Sequence, residues 1–129
     1  MPMHGSAAER VFDLEERTFR FAERVRQLVK ALPRTIGTYE DGKQVIRASG
    51  CVGSNYIEGN EPLGDKDFLV RMKTARTEAK ESRYWLRLLD CGRHAALDQD
   101  RLSLIQEATE LILILSAIIR RKDGRSSHR

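Results

Sequence analysis

Phe68, Met72, Ala75, Ala79, Ser82, Leu86 and Leu89 follow one another at alternating spacings of four and three residues, without a miss. An α-helix brings such positions onto one narrow line, because two turns take about seven residues. A seam of this kind is buried only when other helices lie lengthwise against it. The segment therefore demands a helical bundle, and the question for the rest of the chain is whether it can supply the partners.

It can. Phe21, Ala22, Val25, Leu28, Val29 and Leu32 repeat at helical spacing, with Glu15 and Glu16 near the start, where the helix dipole favours acids, and Pro33 closing the run. A second helix is expected from about Thr38 to Ile57, with Gly59 as its C-terminal cap and a short turn over Asn60 to Gly64. Gly92 is expected to end the third helix. Asp98 or Asp100 can cap a fourth, which runs through Leu104, Ile105, Ala108, Leu111, Leu115 and Ile118 to the basic residues Arg120, Arg121 and Lys122. Four helices with short connections predict an all-α, up-and-down bundle over 13–123, between a flexible segment, 1–12, and a disordered basic tail, 124–129. With 129 residues, 40% of them hydrophobic, the chain has material for one core and not for two.

No stretch near the N-terminus has the uninterrupted apolar segment of a signal peptide, and the apolar run Leu111 to Leu115 is short for a bilayer, so the expected setting is the cytoplasm without membrane attachment. The two cysteines, Cys51 and Cys91, give no disulfide framework and read as reduced, half-buried thiols. The net charge of +4 is compatible with an anionic partner without requiring one.

Two stretches imitate a phosphate-binding loop. "GTYEDGKQ" (Gly37 to Gln44) puts Gln44 where Ser or Thr must hold magnesium, and "GNEPLGDK" (Gly59 to Lys66) has Asp65 where the lysine belongs; neither follows an apolar strand. A carboxylate-bridged metal pair would need ExxH motifs on facing helices, and no Glu here is followed by His three residues later. No nucleophile, base and orienting group falls into a catalytic motif. No enzymatic activity, metal or cofactor is expected.

The helix faces carry more. At 100° per residue, Lys66, Lys73, Arg76, Lys80, Arg83 and Arg87 form one stripe beside the apolar seam of the third helix. They could face phosphates, or be a solvated surface laced with Asp65, Asp90 and acids of neighbouring helices. No aromatic residue lies within the stripe except Tyr84 at its edge, so base stacking has little support in the sequence. The opposite flank carries Asp67, Glu78, Glu81 and Trp85, carboxylates that call for basic residues of another helix or subunit.

Around "SGCVGSNYIEG" (49–59), Val45, Ser49, Val52, Gly53 and Tyr56 face the bundle, the small ones allowing close approach of a neighbour. Arg47, Cys51, Asn55 and Glu58 lie on the reverse side. Asn55 and Glu58, one turn apart, are either a polar surface aimed at a ligand or subunit, or helix-end side chains bonded to nearby backbone. "LILILSAII" in the fourth helix is apolar around its whole circumference, which predicts a homo-oligomer whose interface includes Leu111, Ile112, Leu113, Ile114, Leu115, Ile118 and Ile119.

"GSNYIEG" followed by "DKDFLVRMKTARTEAKESRYWLRLL" resembles the small four-helix-bundle family first named for proteins encoded in intervening sequences of bacterial 23S rRNA genes. "FDLEERTFRFAERV" and the apolar fourth helix agree in character, so the resemblance covers most of the chain. The family's polar motif residues fall on Asn55, Glu58, Asp67 and Glu81, its acidic-Phe step on Asp67 and Phe68, and Tyr84, Trp85 and Leu86 look like one branch of it. The resemblance implies an antiparallel four-helix bundle, usually a ring-shaped homopentamer, with no known enzymatic activity. It also implies kinship with the accessory proteins of diversity-generating retroelements, similar pentamers whose basic surface is linked to nucleic acid and a reverse transcriptase. The chain departs from the commoner pattern at Glu61, Pro62, Leu63 and Gly64, where a basic residue and Ser are frequent, and this argues against a nucleic-acid contact at that turn.

Two functions follow as expectations. One is a nucleic-acid-associated oligomer that repeats the third-helix stripe and Arg120, Arg121, Lys122 and Arg125 around a ring, for RNA or DNA backbone. The other is a scaffold for another protein, with nucleic acid irrelevant.

Overall fold

In a computed structural model that describes residues 7–61 and 64–127, with side chains at 13–61 and 64–124, the chain forms four helices. They are α1 (Ala7–Ala31), α2 (Ile36–Gly59), α3 (Asp65–Leu88) and α4 (Ala95–Ser127). Each packs against its neighbours in sequence, and α4 returns to α1. There is no strand among the described residues.

Three helices share one rule. Leu14, Thr18, Phe21, Val25, Leu28 and Leu32 are buried on α1; Thr38, Gly42, Val45, Ser49, Val52, Tyr56 and Gly59 on α2; Met72, Ala75, Ala79, Ser82 and Leu86 on α3. Each set alternates steps of four and three, so each helix presents one continuous line to the core. Thr18 and Ser82 satisfy their hydroxyls within their own helix, Thr18 Oγ1 donating to the Leu14 carbonyl at 2.9 Å and Ser82 Oγ to the Glu78 carbonyl at 2.7 Å, while Thr38 Oγ1 donates to the Pro33 carbonyl ahead of α2. On α4 the buried residues are Leu104, Ala108, Leu111, Ile112, Leu115 and Ile119.

Pro33 stops α1, and a capping box starts α2: Thr35 Oγ1 accepts from the Thr38 amide at 3.1 Å while the Thr35 amide donates to Thr38 Oγ1 at 3.0 Å. Helix α2 therefore begins at Ile36, two residues before the expected Thr38. Its C-cap is Asn60, not Gly59, which stays helical because space is short there: a Cβ at Gly59 would run into Met72 Cε and lie 3.0 Å from Arg71 Cβ. Helix α3 ends at Leu88, before Gly92; Gly92 sits in the following turn at φ 64° with its amide bonded to Asp90 Oδ1 at 2.8 Å. Helix α4 begins at Ala95, so Asp98 lies in its first turn rather than capping it, and its amide donates to the His94 carbonyl at 3.1 Å.

Residues 7–12 are helical backbone continuous with α1, and 124–127 continue α4. Residues 1–6, 62–63 and 128–129 lie outside the described residues. Helix α4 is, by length and mean hydropathy, long and apolar enough to cross a bilayer, which the short uninterrupted run had hidden. In the bundle its Leu104, Leu111 and Leu115 line is fully buried against the other helices.

Candidate nucleic-acid interface

The basic stripe of α3 lies along the outer surface beside α4. Lys66, Lys73, Lys80 and Arg87 are exposed and have no carboxylate within ion-pair distance among the described residues. Arg76 and Arg83 lean across to α4, where they meet neutral partners: Arg76 Nη1 donates to Ser116 Oγ and Arg83 Nη1 to Thr109 Oγ1, each at 3.3 Å. Thr109 itself donates to the Ile105 carbonyl at 2.9 Å, which turns its oxygen toward the guanidinium. These bonds position the two arginines without cancelling their charge.

The acids that might have neutralised the stripe are engaged elsewhere. Asp65 Oδ1 pairs with Lys122 Nζ at 2.7 Å, and Asp90, which keeps its charge, accepts from the Gly92 amide at 2.8 Å rather than pairing with Arg87. Glu78 and Glu81 point to the other flank, where Arg47 of α2 bridges them, Nη1 to Glu78 Oε2 at 3.2 Å and Nη2 to Glu81 Oε1 at 3.3 Å. That is the interhelical partner these carboxylates call for. Glu78 is buried, and its Oε1 has no hydrogen-bond partner among the described residues. The Cys51 thiol beside this cluster is held above its ordinary pKa of 9.0, first by burial and then by the Glu78 charge, so it stays protonated and unreactive at neutral pH.

At the C-terminal end of α4 the basic residues part company. Lys122 pairs with Asp65 and lies over the Phe68 ring, 5.5 Å from its centroid, and Arg121 lines a groove with Asp13, Leu14 and Arg17 on the α1 side. Arg120 is exposed. So Lys122 is not a free cation, and Arg121 lies over a groove that also includes Tyr56 and Phe68 rather than in the stripe, since α4 turns about 100° per residue. Another basic residue, Arg101, is spent structurally: its Nη1 donates to the Leu86 carbonyl at 3.2 Å and the Arg87 carbonyl at 3.4 Å. It caps the end of α3 from across the bundle while bonded to Asp98 Oδ1 at 3.0 Å. Nothing local in the sequence marks this, since the contact joins residues fourteen and fifteen apart.

The motif residues divide in the same way. Asn55 Nδ2 donates to the Cys51 carbonyl at 2.8 Å and Asn55 Oδ1 accepts from Arg71 Nη1 at 3.2 Å, so this side chain ties the end of α2 to its own backbone and to α3. Glu58 points to solvent, and Asp67 lies in the first turn of α3, where the helix dipole favours it. The Asn55 and Glu58 side chains do not converge on a common site.

The apolar circumference of α4 is mostly covered by the chain itself. Leu111, Ile112, Leu115 and Ile119 are buried in the bundle core and offer nothing to another subunit. Leu113, 64% exposed, and the half-buried Ile114 and Ile118 are what remains of the expected interface. A second ion-paired tie, missed in the sequence, joins α1 to α4: Arg17 Nε and Nη2 grip Glu107 at 2.7 and 2.9 Å, and Nη2 reaches Glu110 at 3.1 Å. The bond to Glu107 drives the Arg17 pKa further above its ordinary value. No group of three metal-ligating side chains converges among the described residues.

The family model of the 23S rRNA-intervening sequence proteins matches residues 11–117, which include most of all four helices. Among solved structures, the fold matches the crystal structure of a protein with unknown function from the S23 ribosomal protein family of Bacteroides thetaiotaomicron VPI-5482, with a TM-score of 0.68 and 26% identity. The superposition covers 81% of this chain and 96% of that one. Among curated proteins none matches the chain.

Proposed function

This chain belongs to the 23S rRNA-intervening sequence protein family, and from that premise and its surface charge we propose that it is a non-catalytic helical-bundle protein that binds the backbone of RNA or DNA. The observation that carries the reading is the α3 stripe, in which, among the described residues, Lys73, Lys80 and Arg87 have no carboxylate within ion-pair distance and Arg76 and Arg83 bond to hydroxyls of α4. A solvated structural surface is usually laced with opposite charge, and this one is not. Cations left unneutralised at successive turns suit a regularly spaced polyanion.

The remaining parts of the reading are an up-and-down arrangement of the helices, which their short connections and the family resemblance both suggest, assembly into a ring-shaped homopentamer, taken from the resemblance, and a cytoplasmic setting, taken from the sequence near the N-terminus and the short apolar run. Exposed Leu113 with Ile114 and Ile118 supports a subunit contact on α4. A ring would repeat the stripe and multiply a weak patch into an extended one.

The test is binding of RNA and DNA by the purified, nuclease-treated protein across a salt series. Three to six neutralised phosphates give a slope of log affinity against log salt of roughly −2 to −5. The triple variant Lys73→Glu, Lys80→Glu, Arg87→Glu should lose binding while keeping its helicity and oligomeric mass. Absence of binding at low salt, or binding unchanged in the triple variant, would refute the proposal, and partners that survive nuclease would then favour a protein scaffold.

A further inference from the structure

We infer that the α3 stripe takes single-stranded rather than duplex nucleic acid, with Tyr84 as a base-stacking platform among its cations. This rests on the nucleic-acid reading above and narrows the kind of nucleic acid.

Three observations converge. Tyr84 lies at the edge of the stripe, against its cations: on the helical wheel it is about 40° from Lys80, one turn before it, and about 20° from Lys73, on the same line as Lys66. It is 55% exposed, and of the exposed aromatics Phe19, Tyr39 and Tyr84 it is the one on α3, next to the cations. Its ring is also held in place. Trp85 meets it edge to face, with centroids 5.2 Å apart and planes at 82°. In either sense of an edge-to-face pair, at least one face of the tyrosine ring stays open. Exposed Leu88, one turn on, and Val70 fall just beside this line and extend the apolar ground next to the cations.

The geometry then selects the ligand. The cations from Lys73 to Arg87 follow one nearly straight line about 21 Å long, at 1.5 Å rise per residue. One row of charge suits one backbone. Bases in a duplex show only their edges in the grooves, and their faces are closed by stacking, so an exposed ring amid phosphate-binding cations finds no partner there. A single strand turns its bases outward, and aromatic rings interleaved with cations are how proteins hold such strands without sequence preference.

The experiment is anisotropy titration of the full chain with labelled 20-nucleotide RNA and DNA single strands and with the duplex of the same sequence, at one low salt concentration. Single strands of either sugar should bind at least about tenfold tighter than duplex, and Tyr84→Ala should weaken single-strand binding by about fivefold or more while leaving duplex binding unchanged. Tyr84→Phe, which keeps the ring, should restore it. Because Trp85 is the only tryptophan, its emission should change on single-strand binding in the parent chain, and the change should shrink in the alanine variant. Duplex binding as tight as single strand, or Tyr84→Ala binding like the parent, overturns this inference and leaves the backbone-binding reading standing. Loss of all binding in the parent chain overturns both.

Discussion

At the residue scale, the groups that decide behaviour are those whose charge is either spent or withheld. Arg17, Arg47 and Lys122 are spent on Glu107, on Glu78 with Glu81, and on Asp65, whereas Lys73, Lys80 and Arg87 are withheld from any carboxylate among the described residues. Burial decides a second set. It pushes the Tyr56 phenol above its ordinary 10.0 and the Cys51 and Cys91 thiols above 9.0. Each is neutral when protonated, so the folded chain holds these protons to higher pH than the unfolded chain does. Their contribution to stability is fully present below about pH 9 and is lost as pH climbs through the raised folded values. Urea unfolding between pH 7 and 11 should show a plateau and then a decline, and Tyr56→Phe should make the upper part of that decline shallower. A stability that stays flat to pH 11 would show that these groups titrate alike in both states.

At the scale of elements, α1 and α2 meet through residues with no side chain to spare. A Cβ at Gly53 would lie 2.8 Å from Thr18 Oγ1 and 3.2 Å from Thr18 Cβ, and one at Gly42 would lie 2.8 Å from Val29 Cγ1. Thr18 cannot yield freely, because its buried hydroxyl is bonded to the Leu14 and Glu15 carbonyls. Gly53→Ala should therefore cost about 1–3 kcal/mol by overpacking. Gly37, exposed in the first turn of the same helix, has only Thr35 Oγ1 near, at 3.8 Å. There Gly37→Ala should stabilise by up to about 1 kcal/mol, by lowering the entropy of the unfolded chain. Thermal denaturation of the two variants side by side checks the sign: if both shift alike, helix propensity and not close packing governs α2.

The whole molecule is a bundle with two unlike long sides. The flank joining α2 and α3 is internally neutralised by Arg47, Glu78 and Glu81, and the outer surface of α3 beside α4 is left positive. Assembly is a separate question from charge. With four of the seven candidate residues of α4 already in the core, Leu113 is the position on which a contact through α4 depends most. Light scattering should give a mass about five times the 14.8 kDa of one chain, and Leu113→Glu should lower it. A parent mass of 14.8 kDa at micromolar concentration would dismiss the ring.

What the sequence by itself determined was local in origin. The four-and-three spacing of Phe68 to Leu89 dictates a helix with one buried line, Pro33 stops α1, and the small residues around Gly53 announce close approach; the run from "GSNYIEG" to "WLRLL" was enough to place the family. Helix ends were less legible where a glycine could serve two purposes: Gly59 reads as a cap and is instead a packing position against Arg71 and Met72. Tertiary structure alone decided everything that depends on distant partners. Arg17 finds Glu107 ninety residues away and Arg47 finds Glu78 thirty-one away, so which cations remain free is not a property of any one helix. For the same reason the apolar girdle of α4 could not be assigned from its own residues: helical period sets which side chains share a line, but only the packing of the other helices sets which lines are covered.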